Sequence, residues 1–123
     1  MAKADREAEK TIVEPRPVRV GHDGPDLDAC AAYGEVRGLN PDGDNFLAVR
    51  NAPSPKAAEI DRINEGTGVA ICDEADGWLG IVYEDAESAP DCGTGSPVAK
   101  EQDYDGPCKS GWVSKTYIEL LAG

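Results

Sequence analysis

The sequence predicts a small all-β domain of short strands, and three features of the 123-residue chain carry that prediction. Glycine and proline are abundant, at 14 and 9 residues, which favours short elements joined by many turns over a helical bundle. Apolar residues recur in short runs separated by turn-forming clusters, and part of each run alternates as a half-buried strand does. Four cysteines (Cys30, Cys72, Cys92 and Cys108) are spread through a chain that can bury only a modest core, where cross-links supply what packing lacks. The length suits one domain.

Taken in order, residues 1–28 are charged, rich in Pro and Gly, and poor in large apolar groups, so a flexible leader is expected there. Ala2 to Lys10 could form a solvated helix, but it lacks an apolar stripe. Pro15 and Pro17 exclude an interior strand between Thr11 and Val20 and permit an extended arm docked at the domain edge. The domain itself is expected over residues 29–121. Ala31 to Leu39 reads as its first strand, and Asn40-Pro41-Asp42-Gly43-Asp44-Asn45 as a turn. Phe46 to Arg50 is a second strand with Leu47 and Val49 on one face, ended by Ala52-Pro53-Ser54-Pro55. Ala57 to Ile63 fits either a short helical turn or an irregular strand. Val69 to Asp73 and Trp78 to Tyr83 are strands joined by a hairpin at Glu74-Ala75-Asp76-Gly77. Residues 84–109 are polar and acidic and contain two cysteines, so they read as a long inserted loop held by a cross-link. Gly111 to Val113 and Tyr117 to Leu121 close the chain. The core candidates are Leu47, Val49, Ile60, Ile63, Val69, Ile71, Ile81, Val82, Val113, Ile118 and Leu120.

No two cysteines have the short spacing of zinc ligands or of a dithiol redox motif, so two disulfides in an oxidising compartment are the better reading. Three pairings are possible and spacing does not choose among them. The preferred pairs are Cys30–Cys72 and Cys92–Cys108, because the second closes a polar loop that little else would hold. A periplasmic or secreted location follows. The start, Met1 to Arg6, lacks the apolar centre of a signal peptide, so the chain is read as a mature form.

The order of short motifs resembles the bacterial SH3-like family of small β-barrels found in exported and cell-wall-associated proteins. The matching fragments are Leu47-Ala48-Val49-Arg50 followed by Pro53-Ser54, then Glu65-Gly66-Thr67-Gly68-Val69. After these come Gly77-Trp78-Leu79-Gly80-Ile81, and finally Gly111-Trp112-Val113 with Tyr117-Ile118. The resemblance covers about residues 29–121. It implies a barrel of about five strands, with the 84–109 insertion far longer than the family's usual turn.

It also implies a binding module rather than an enzyme. The ligand would be a cell-wall peptide or another extracytoplasmic protein, and Trp78, Tyr83, Trp112 and Tyr117 are the ligand-binding candidates. The tryptophans are expected at the barrel rim, one edge toward water. The first strand offers Ala32-Tyr33-Gly34-Glu35, not the aromatic cluster of a proline-peptide groove, so that specificity is not carried over.

Charge narrows the partners. Twelve basic residues against 24 acidic ones give a formal net charge of −12, which argues against nucleic acid and anionic membrane surfaces. It leaves a basic partner open. No apolar run reaches membrane-spanning length. His22, the only histidine, lies in the leader, so neither acid–base nor nucleophilic catalysis has an evident constellation. The Asn40 to Asn45 turn superficially matches a calcium loop, but Asn51 stands where the closing glutamate belongs, so no metal and no cofactor is expected. A monomer is expected. The alternative function is a secreted inhibitor that uses the acidic disulfide loop as a rigid wedge.

Overall fold

The computed structural model describes residues 13–22, 24–30, 32–43, 45–84 and 92–122. The helix considered for Ala2 to Lys10 and the acidic residues Asp85, Glu87 and Asp91 lie outside them. The fold is all-β. Among the described residues nine strands form, β1 (Arg19–Val20), β2 (Ala32–Val36), β3 (Leu47–Arg50), β4 (Glu59–Ile63), β5 (Gly68–Ala75), β6 (Trp78–Tyr83), β7 (Gln102–Asp103), β8 (Lys109–Ser114) and β9 (Ile118–Ala122). One turn of 3-10 helix, Lys115–Tyr117, separates β8 from β9.

Seven strands make one antiparallel sheet in the order β4-β3-β8-β6-β5-β2-β9, while β1 and β7 pair apart from it. Among the described residues no ladder joins β4 to β9. The β5–β6 hairpin turns on Asp76 and Gly77, with φ of 51° and 87°, the left-handed pair that a two-residue Asp-Gly turn needs. The Ala57–Ile63 ambiguity resolves to a strand whose register shifts opposite Val49 and Arg50. The Asn40 turn is tied locally, its Oδ1 accepting the Asp42 N–H at 2.9 Å.

Two hydrophobic clusters lie on opposite faces of the sheet. The first is built from Val36, Leu47, Val49, Ile63, Val69, Leu79, Ile81, Tyr83 and Val113, with Leu39, Ile71 and Ile118 at its margin. The second contains Val18, Val20, Ala29, Cys30, Cys72, Val82, Cys108 and Trp112. Alternation along β6 and β8 distributes the side chains: Leu79, Ile81 and Val113 go to the first cluster, Val82 and Trp112 to the second. Two core candidates fail. Ile60 is 52% exposed on edge strand β4 and Leu120 is 61% exposed on edge strand β9, because no further strand covers either one.

In the leader, the extended arm expected at the domain edge docks through Val18 and Val20, which are buried, while Glu14 to Pro17, His22 and Pro25 to Asp28 stay exposed. Arg16 donates its N–H to Asn51 O at 2.8 Å and accepts the Trp112 indole N–H at 2.7 Å. The 84–109 insertion meets this arm: β7 pairs with β1, and Tyr104 N–H donates to Val18 O. Arm and insertion together form a strap over the second cluster. Gly80 lets it approach, since a Cβ there would press on Val18, Asp73 and Trp112.

Disulfides join Cys30 to Cys72 on β5 and Cys92 to Cys108, the preferred pairs, and the second closes the insertion on itself just before β8. The buried carboxylate of Asp73 adds a polar pin, accepting from Arg19 N–H at 3.1 Å and contacting His22 Nε2 at 3.0 Å. Thus His22 is engaged in holding the arm.

Candidate functional site

A groove of about 440 Å³ opens where the 3-10 helix, the start of β6 and the β3–β4 hairpin meet. Its aromatic lining is Trp78, Phe46 and Tyr117, with Leu39 and Leu47 beneath. Each is placed by a local rule. Trp78 follows the Asp76–Gly77 turn directly and lies opposite Ser114 in the β6–β8 ladder. Tyr117 ends the 3-10 turn, which is capped by Ser114 Oγ accepting Thr116 N–H and tied to the hairpin by Lys115 N–H donating to Gly77 O at 3.0 Å. Phe46 precedes the inward-facing Leu47 by one position, so strand alternation turns it toward the groove.

The charged lining is engaged within the fold. Arg50 donates from Nη1 to Ala57 O at 2.9 Å. Glu59 pairs with Arg62, whose guanidinium sits 4.1 Å from the centre of the Phe46 ring. Among the described residues, the Trp78 indole N–H and the Tyr117 hydroxyl have no hydrogen-bond partner. The groove therefore offers flat aromatic surface with two unpaired polar tips, and its lining contains no histidine or cysteine.

The four aromatic candidates thus divide. Trp78 and Tyr117 come together at the groove. Trp112 is fully buried in the second cluster, with its indole N–H satisfied and the Arg16 guanidinium 5.2 Å above its ring, so it is not a rim residue. Tyr83 is 3% exposed, and its hydroxyl donates to Asp61 Oδ2 at 2.8 Å. Burial works against the Asp61 carboxylate, but the Arg62 amide, the Tyr83 hydroxyl and the Lys109 ammonium outweigh it and hold the group below its ordinary range. Both corrections have one cause: neither side of the central strands was left to solvent. The sequence reading missed Phe46, Leu39 and Arg50 at the groove. A signal existed for Phe46, since it is the chain's only phenylalanine and sits out of phase with Leu47 and Val49.

Among the described residues no group of three or more His, Cys, Asp or Glu side chains is arranged to hold a metal ion. No helix among them is long and apolar enough to cross a membrane. Comparison with protein-family models, with curated proteins and with solved structures returns no match to this chain.

Proposed function

We propose that this chain is a non-catalytic extracytoplasmic binding module of SH3-like design that holds an extended peptide, from the cell wall or from an envelope protein, in the Trp78–Tyr117 groove. The single observation that carries the reading is the pair of unpartnered polar tips on an aromatic floor. A main-chain carbonyl of a peptide is the natural acceptor for the indole N–H, and the rings bury side chains on either side of it.

All seven strands of the large sheet contribute side chains to the first cluster, β9 through Ile118 at its margin, and the barrel-like part of the proposal draws on that shared core. Two disulfides favour the oxidising compartment.

The test is binding to purified peptidoglycan and to its stem peptides, with the Trp78→Ala and Tyr117→Ala variants alongside the intact protein. Retention that survives moderate salt and is lost in both variants is the expected result. Retention that is equal in all three proteins would place any ligand elsewhere and remove the groove from the account.

A further inference from the structure

We propose a second, separate ligand site: the cleft beside Tyr33 takes a neutral sugar of one or two rings. This inference does not depend on the groove or on its peptide.

The cleft has a volume of about 430 Å³ and lies between the β2–β5 ladder and the segment that follows Cys92. Tyr33, 46% exposed, lies across Gly68 on β5, where a Cβ would collide with the phenol. Glycine at that position lets the ring lie as a platform along one wall. Thr67, Thr94 and Glu84 supply polar groups on the others. Among the described residues, the hydroxyls of Tyr33, Thr67 and Thr94 and the carboxylate of Glu84 have no hydrogen-bond or ion-pair partner. The Cys92–Cys108 disulfide fixes the near end of the insertion, so one wall is held in place before any ligand arrives.

The chemistry of the lining selects the ligand class. Three hydroxyls both donate and accept, and the carboxylate accepts from two directions. Among the described residues no lysine, arginine or histidine lines the cleft, and the chain carries a net charge of −12, so phosphates and carboxylates are disfavoured. A wholly apolar ligand would strand the four polar groups without water. A sugar ring answers each demand, because its hydroxyls pair with Thr67, Thr94 and Glu84 while its C–H face lies on the Tyr33 ring.

The experiment is an amide-resolved NMR titration of the full, disulfide-intact chain with di-N-acetylchitobiose, and with maltose and glucose 6-phosphate for comparison. Expected are saturable shifts at Tyr33, Thr67, Gly68 and Thr94 in the millimolar range with at least one neutral disaccharide, and none with the phosphate ester. Tyr33→Ala and Glu84→Gln should each weaken binding about tenfold, whereas Trp78→Ala should leave it unchanged. Glu84 is exposed, so its variant keeps the test valid if the Tyr33 variant folds poorly. No shift at the cleft with either disaccharide overturns the proposal. So does equal binding of the phosphate ester, or a shift pattern centred on Trp78 and Tyr117.

Discussion

Replacing Trp112 with phenylalanine tests the claim that this tryptophan is core and not contact surface. The indole ring is fully buried, and its N–H reaches the Arg16 carbonyl at 2.7 Å. Phenylalanine removes that donor and leaves a part-buried acceptor unpaired, at a cost of about 1–3 kcal/mol. The smaller ring leaves a void in the second cluster, for about 1 kcal/mol more. Weakening of the Arg16 stacking adds about 0.5–1 kcal/mol.

The expected loss is therefore about 2.5–5 kcal/mol, a large share of the about 5–15 kcal/mol that holds a domain of this size together. Guanidinium unfolding of the disulfide-intact protein measures it, with Trp78→Phe as the control. That control should cost about 1 kcal/mol or less, because Trp78 is only partly buried against the second cluster and its N–H has no partner among the described residues to lose. Equal losses in the two variants, or a Trp112→Phe loss below about 1 kcal/mol, would refute the packing argument.

Removing the Cys30–Cys72 bond opens a loop of 42 positions and should cost about 4 kcal/mol, against about 3 for the 16 positions of Cys92–Cys108. Thermal melts of the two double-serine variants rank them, and the reverse order would contradict it. Asp61 is held below its ordinary range, so its stabilising share is fully present above about pH 3.8 and is lost as pH falls through its lower folded value. Tyr83→Phe removes one cause of that depression. It should cost about 0.5–1.5 kcal/mol near neutral pH and less after acid protonates Asp61, as followed by acid titration of far-UV dichroism. Leu120→Lys should change stability by no more than about 0.5 kcal/mol, since the side chain is 61% exposed on edge strand β9. A collapse of the fold in that variant would contradict the exposure of this face of β9.

Much of the sheet was legible because its signals are local. Asp76-Gly77 demands left-handed backbone, and Leu47 and Val49 alternate with half-buried neighbours. What was not legible depends on contacts distant in sequence. Arg16 meets Trp112 across 96 positions, and Arg19 meets Asp73 across 54, and nothing in a proline-flanked charged stretch announces either contact. The groove was half legible. Trp78 and Tyr117 were named as aromatics, but only the β6–β8 register brings them together. Trp112 and Tyr83 have similar local context and end up buried, because burial depends on which face receives a cover.

The composition of β6 shows why a cover was required. An antiparallel strand with one wet face alternates apolar and polar residues, yet Trp78-Leu79-Gly80-Ile81-Val82-Tyr83 contains no charged residue, and every position after Trp78 is buried. Such a run commits the chain to two apolar layers. The aliphatic residues of the other strands supply one of them. The arm and the acidic insertion supply the other, with Val18 and Val20 from one segment and Val98 and Tyr104 from the other packed around Trp112. Strap residues are polar overall because only one in several faces inward, which is why composition alone reads them as solvated. The strap also settles which aromatics remain available. It closes over the Trp112 face, and none of its described residues lines the Trp78–Tyr117 groove.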